Sequence, residues 1–259
     1  MTDDFYSRTE MLIQPEGMNL LMNANVLVVG LGGVGGYTAE QLCRAGVGRL
    51  TLVDGDKVSA SNINRQIIAL NSTIGQPKVE LLAQRFHDIN PKCQVDAHVE
   101  FLRDEAMLHL LQSQPYDCVV DAIDTLSPKV FLLFHCSQLK LPVVSSMGSA
   151  GKLDPSQVKI ADIGQSHTCP LAAMVRKRLH RMGVTDGIRV VFSTEKVPDY
   201  ARIEELSQNK RTTIGTISYM PPLFGCFLAA EAIRLILHSN AKTMTSHSIE
   251  TFNNTTSVS

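Results

Sequence analysis

Residues 26–35, Val26-Leu27-Val28-Val29-Gly30-Leu31-Gly32-Gly33-Val34-Gly35, constrain this chain more than any other segment. The unbroken apolar run Val26 to Val29 reads as a buried strand of a parallel sheet. The glycines that follow at once have the spacing G-x-G-x-x-G. Gly30 permits a tight turn, Gly32 lets backbone N–H groups approach phosphate, and Gly35 lets a helix pack closely on the strand. The helix beginning there offers unpaired N–H groups and a partial positive charge. Residues 49–54 read as a second strand ending in Asp54, where an acid accepts hydrogen bonds from ribose hydroxyls. Strand, turn, helix, strand and acid in that order make a nucleotide cradle. They leave open whether the nucleotide is NAD carrying hydride or ATP to be cleaved.

The rest of the chain continues the alternation. Helices are expected over 10–22, 33–45, 77–89, 104–113 and 128–139, and strands over 26–30, 49–54, 94–99, 117–121 and 142–145. In the first helix Met11, Leu12, Met18, Leu21 and Met22 are the candidate buried positions. The fold class is therefore α/β: a Rossmann-like sheet, parallel in its N-terminal part (1–150), with helices on both faces. A smaller, less regular C-terminal part (151–238) extends it, with strands at 158–161 and 188–192 and helices at 170–182 and 222–237. Residues 197–211 read as a polar mobile loop. The Ser/Thr/Asn-rich stretch 239–259 reads as a disordered tail.

Composition narrows the class. The chain has 259 residues, 44% of them hydrophobic, enough for one large α/β core. No apolar run reaches the length of a membrane span, and the acidic segment Met1 to Phe5 is not a signal peptide. A cytoplasmic location is the expectation. The six cysteines, Cys43, Cys93, Cys118, Cys136, Cys169 and Cys226, contain no C-x-x-C pair, so no structural zinc site is expected. The net charge of −1 exerts no global pull on nucleic acid, so any such contact needs a local patch.

Residues after Asp54 favour ATP. Asp56 and the run Ser61-Asn62-Ile63-Asn64-Arg65-Gln66 serve no purpose in hydride transfer. Amides and an arginine there suit a phosphoryl site, where charge on the transferring group is neutralised. Lys78, just after Pro77 at a helix start, adds an ammonium to the helix dipole. Asp121-Ala122-Ile123-Asp124 ends the fourth strand, and a carboxylate there could hold Mg²⁺ against a triphosphate. No G-x-x-x-x-G-K-[ST] occurs, so the chain is not a P-loop enzyme.

Together, Gly30 to Gly35, Asp54-Gly55-Asp56, Asn62 to Gln66, Lys78 and Asp121 to Asp124 resemble the adenylating (ThiF-type) domain of E1-like enzymes. Phe5-Tyr6-Ser7-Arg8-Thr9 resembles that family's N-terminal Arg-Tyr-x-Arg-Gln segment, with Phe5 at the first arginine. The resemblance implies that residues 1–150 bind ATP through Gly30, Gly32, Gly33, Gly35, Asp54, Asp56, Asn62 and Gln66. It implies that Asp54 holds the ribose, Lys78 the phosphates and Asp124 magnesium. Arg8 and Arg65 would act on phosphates, Arg65 reaching in from the partner subunit of a homodimer. Arg65, Lys78 and Asp124 are thereby the catalytic candidates.

The second half selects a branch. Ser145 to Pro155, Val158 to Asp162, Cys169-Pro170-Leu171-Ala172 and Phe192-Ser193-Thr194-Glu195 resemble the tRNA threonylcarbamoyladenosine dehydratases. That branch implies an ATP-dependent cyclising dehydration of N6-threonylcarbamoyladenosine beside the anticodon of tRNA. It also implies a cysteine desulfurase and sulfur-acceptor system as partner and allows a monovalent cation. No cysteine lies between Thr194 and Gly225, so no thioester is expected, and Cys169 reads as a structural thiol. An E1-like adenylating enzyme for a ubiquitin-like sulfur carrier is the alternative. Arg176-Lys177-Arg178 to Arg181, and Lys210-Arg211, are the basic runs available to tRNA phosphates.

Overall fold

The computed structural model describes residues 5–204 and 212–254. Seven strands form one sheet in the order β3-β2-β1-β4-β5-β7-β6. They are β1 (Asn25–Val29), β2 (Arg49–Val53), β3 (Gln94–His98), β4 (Cys118–Asp121), β5 (Val143–Ser146), β6 (Val158–Asp162) and β7 (Arg189–Ser193). All neighbours are parallel except β6, which runs antiparallel to β7 at the edge. The strands expected in the C-terminal part thus extend the N-terminal sheet.

Alternation along the strands divides the core into two layers. Val26, Val28, Leu50, Leu52, Val120 and Val144 face α1 (Ser7–Asn23), α2 (Gly35–Ala45), α3 (Lys78–Ile89) and α7 (Met220–Asn254). Leu27, Val29, Val53, Val119, Val143 and Val190 face α4 (Asp104–Ser113), α5 (Leu126–Gln138) and α6 (Pro170–Arg181). Every central strand is covered on both faces, as continuous apolar strand runs require.

Register positions the site. Val29 pairs with Val53 on one side and Asp121 on the other. The three chain segments leaving β1, β2 and β4 therefore emerge side by side at the carboxyl edge. Strand order reverses between β1 and β4, the place where open α/β sheets bind ligands.

Four expectations are corrected. Met18 and Leu21 are buried, but Met11, Leu12 and Met22 are exposed, at 61%, 83% and 42%. α1 is broken at Gln14 (φ 64°, ψ 167°) beside Pro15, so its two halves do not share one apolar stripe. α5 opens at Leu126, before Pro128, which occupies the first turn. Within the expected loop 197–211 lie one 3₁₀ turn (Asp199–Ala201) and strand β8 (Arg202–Glu204), which pairs antiparallel with β9 (Thr212–Ile214). The stretch 239–254, expected as a disordered tail, continues α7. A helix nucleated on the core adds residues cheaply, because only nucleation is costly. Met1 to Asp4, residues 255–259 and the Lys210-Arg211 run lie outside the described residues.

The segment Met220–His238 of α7 is the one stretch among the described residues long and apolar enough to cross a membrane, with mean hydropathy 1.6. Half of it is buried inside the protein, and it packs on α2 and on the sheet. Gly225 makes that approach close: a Cβ there would lie 2.6 Å from the Val34 carbonyl oxygen. The hydroxyl of Thr38 donates across the same contact to the Gly225 carbonyl at 3.2 Å.

Candidate active site

The glycine turn connects β1 to α2. Gly30 has φ +87°, in the left-handed region that favours glycine, and a Cβ there would lie 2.8 Å from the Ala122 carbonyl oxygen. A Cβ on Gly35 would run into the Gly30 carbonyl oxygen, so this glycine sets the helix-on-strand approach. Gly32 differs: the nearest atom to a Cβ there is Gln66 Nε2, at 3.7 Å. Its freedom from contact keeps space open over the turn. The N–H groups of Gly32, Gly33 and Val34 donate to no group among the described residues. They precede the first helical residue, Gly35, and form an anion cradle.

Asp54 ties the turn to the next strand. Its carboxylate accepts from Leu31 N at 2.6 Å and from Asp56 N at 2.8 Å. Lys78 Nζ lies 3.9 Å from Asp54 and 2.9 Å from Asp56. The Lys78 side chain is only 5% exposed although it begins α3. It reaches this position because Lys78 N donates to Asp56 O and Val58 N to Gln76 O, stitching the post-β2 loop to the start of α3. Burial pushes the Asp54 carboxyl above its ordinary 3.8, against the opposing pull of Lys78 and of the two amides.

Arg65 lies beside its own turn. A Cβ on Gly33 would be 3.1 Å from Arg65 O and 3.2 Å from its Cγ. Arg65, expected to reach in from a partner subunit, thus neighbours the glycine turn of its own chain, on the segment that follows the 3₁₀ turn Ala60–Asn62. The guanidinium donates to Ser61 O and Asn64 Oδ1, both at 2.8 Å. Asn62 accepts from Ser59 N at 3.1 Å, so its carbonyl group holds this loop in shape. Gln66 is 7% exposed, and its Oε1 has no partner among the described residues. Its Nε2 neighbours Gly32, which aims the carboxamide at the cradle.

The two acids after β4 separate in role. Asp121 is fully buried and consumed by structure: Lys129 Nζ and Ser145 Oγ each lie 2.5 Å from its Oδ2, and Ile123 N donates to Oδ1 at 3.1 Å. It has no capacity left for a cation. Asp124 is exposed three residues on, at the carboxyl edge. Arg8 is not brought to this site within one chain. Tyr6, two residues earlier, packs against Gly46 at the far end of α2 and donates to Asn90 Oδ1 at 2.9 Å.

Sequence reasoning missed the Asp121–Lys129 pair. The signal was a lone lysine in the apolar run Val130-Phe131-Leu132-Leu133. It also missed Phe101, whose ring atoms would lie 2.6–2.8 Å from a Cβ on Gly55. Of the six thiols, Cys43, Cys93, Cys118, Cys136 and Cys169 are buried; Cys226 in α7 is exposed, and partial burial raises its pKa.

A glycine cradle with free amides, a buried lysine on two acids, and a neighbouring arginine define a Rossmann-like nucleotide-binding domain equipped to handle phosphate charge. The chain belongs to the ThiF family, which it matches over residues 6–258. The tRNA threonylcarbamoyladenosine dehydratase of Bacillus subtilis is 46% identical, over 73% of this chain and 74% of that protein. The crystal structure of E. coli tRNA N6-threonylcarbamoyladenosine dehydratase in complex with ATP superposes with TM-score 0.82 at 32% identity, covering 92% of this chain and 95% of that one. The same enzyme in complex with AMP superposes with TM-score 0.82 at 33% identity, with the same coverage.

Proposed function

We propose that this chain is an ATP-dependent tRNA threonylcarbamoyladenosine dehydratase, acting on the modified adenosine beside the anticodon. The observation that carries the reading is the pairing of this cradle with relatives of that activity, one of which holds both ATP and AMP in the same fold. ATP and AMP are the two ends of an adenylation.

The chemistry needs no nucleophilic side chain. The threonyl carboxylate attacks the α-phosphorus of ATP, the bond to the β-phosphate oxygen breaks, and pyrophosphate leaves. The carbamoyl group of the same nucleoside then attacks the activated carbonyl. It loses a proton, AMP departs with one carboxylate oxygen, and the ring closes. Because the second attack is intramolecular, effective molarity replaces a covalent enzyme intermediate. The amides of Gly32, Gly33 and Val34 bind phosphate oxygens, and Asp54 accepts from the ribose. Lys78 and Arg65 offset charge as pyrophosphate departs. To do so Arg65 exchanges its bonds to Ser61 and Asn64 for phosphate oxygens. Asp56 and Gln66 orient Lys78 and the cradle, and Asn62 holds the loop that carries Arg65.

Asp124 fits magnesium. Mg²⁺ is commonly held by one or two carboxylates together with substrate phosphates, and among the described residues no cluster of three or more His, Cys, Asp or Glu forms a protein cage. Bound there, it would neutralise triphosphate charge. We assign the monovalent cation no residue. A homodimer and a cytoplasmic location complete the reading. Arg8, held at the far end of α2 from the glycine turn, acts on phosphate only if a second copy presents it. A cysteine desulfurase and sulfur acceptor remain the proposed partners by family.

Incubation with ATP, Mg²⁺ and tRNA carrying threonylcarbamoyladenosine, followed by nucleoside mass spectrometry, tests the function. Loss of one water from the modified nucleoside is the expected result. No mass change, together with pyrophosphate exchange driven by a sulfur-carrier C-terminus, would overturn it.

A further inference from the structure

α6 carries a basic stripe that the ATP site does not use. Met174, Lys177, Arg178 and Arg181 stand at i, i+3, i+4 and i+7, so they share one face, and all four are exposed. The opposite face, with Ala172, Val175 and Leu179, is buried in the core. Arg176 leaves the stripe: its guanidinium folds back onto Ser166, donating to the carbonyl at 2.6 Å and the hydroxyl at 2.9 Å. α6 contains no acid, and among the described residues none of Lys177, Arg178 and Arg181 pairs with a carboxylate. In a chain of net charge −1, three unpaired cations on one stripe are a local concentration of positive potential.

α5 packs beside α6 and adds two features. Arg178 Nη1 donates to Ser127 Oγ at 2.9 Å, and Ser127 lies three residues after Asp124. Phe131, one turn further along α5 on the face of Ser127, is 44% exposed. The stripe therefore begins at the edge of the ATP site and runs alongside an uncovered aromatic ring.

We propose that this α5–α6 face holds the single-stranded loop of the RNA substrate, with Lys177, Arg178 and Arg181 on its phosphates and Phe131 stacked on an unpaired base. The inference rests on the reading that the substrate is tRNA and adds the surface that receives it. Loop nucleotides offer splayed bases and closely spaced phosphates, which cations interleaved with an aromatic ring recognise. An acidic protein segment would use the cations but gives no role to Phe131 beside them.

The test uses the full chain with three variants: Lys177→Glu/Arg181→Glu, the milder Lys177→Gln/Arg181→Gln, and Phe131→Ala. Melting temperature and binding of a fluorescent ATP analogue verify each fold. With modified tRNA, the charge-reversed variant should raise KM at least about tenfold with kcat within about twofold. The slope of log affinity against log salt should shrink by about 1.5–2, as expected for two lost phosphate contacts. The glutamine pair should shift both quantities the same way by less, and Phe131→Ala should raise KM without changing the salt slope. An unchanged KM and slope in the charge-reversed variant overturns the proposal. If the wild type fails to dehydrate the nucleoside, the functional reading fails first. Binding of an unmodified anticodon stem-loop then tests the surface alone, and undiminished binding by the variants overturns it. Competition by polyglutamate as strong as by RNA of equal charge also overturns it.

Discussion

Lys129→Met should be among the most damaging single substitutions outside the glycine turn. Lys129 and Asp121 are both fully buried, with Nζ 2.5 Å from Oδ2. At an effective dielectric of 20, unit charges at that distance attract by about 7 kcal/mol, most of it offset by desolvation. Removing the ammonium leaves Asp121 charged in the core, held only by Ser145 Oγ and Ile123 N. Breaking such a pair costs about 3–5 kcal/mol. For a domain of this size that corresponds to a melting temperature lower by about 6–20 °C. The double variant Asp121→Asn/Lys129→Met removes both charges while the amide oxygen still accepts from Ile123 N. It should regain all but about 1–2 kcal/mol of the wild-type stability. Calorimetry or urea denaturation of wild type, Lys129→Met, Asp121→Asn and the double variant closes the cycle. A Lys129→Met protein melting within about 3 °C of wild type, or a double variant no more stable than the single, would refute the claim that a compensated buried charge holds β4 to β5.

Three further outcomes follow from the site. Arg65→Ala should abolish turnover while equilibrium binding of ATP survives, and full activity in single-turnover assays would exclude a role on the leaving phosphates. Gly32→Ala meets no backbone obstacle, so it should melt normally yet lose ATP affinity at least about tenfold by calorimetric titration; Gly35→Ala, forced against the Gly30 carbonyl, should fail to fold. Because Asp54 is pushed above 3.8 in the fold, it binds its proton more tightly folded than unfolded. Its stabilising contribution is therefore full below that ordinary value and is lost as pH rises through the raised one. Asp54→Asn should flatten that interval of the stability–pH curve in urea titrations, and an unchanged curve would count against burial as the cause.

Periodicity and turn chemistry are local properties, and local properties were legible in the chain. Val26 to Val29 could only be an inner strand, Gly30 to Gly35 only a tight turn into a helix, and Lys78 after Pro77 a helix start. Edges failed where the cause was tertiary. Pro15 marks a break within residues 10–22, but only the packed structure shows that the break at Gln14 turns Met11 and Leu12 outward. Residues 239–254 have the composition of a tail, yet they follow a helix already anchored on the core.

The sequence by itself determined that a nucleotide-binding βαβ unit exists, because the covalent order of strand, glycines and acid dictates it. The structure alone decided which side chains meet. Strand register set Gly30 against Ala122 and placed Asp54, Lys78 and Asp56 within reach of one another. The 60–66 loop set Arg65 beside the glycine turn of its own chain, while α1 held the segment bearing Arg8 at the opposite end of α2. Burial spent Asp121 on Lys129 and left Asp124 at the edge. Such pairings depend on distances between segments far apart in the chain, and these are fixed only when the sheet and its two helical layers close.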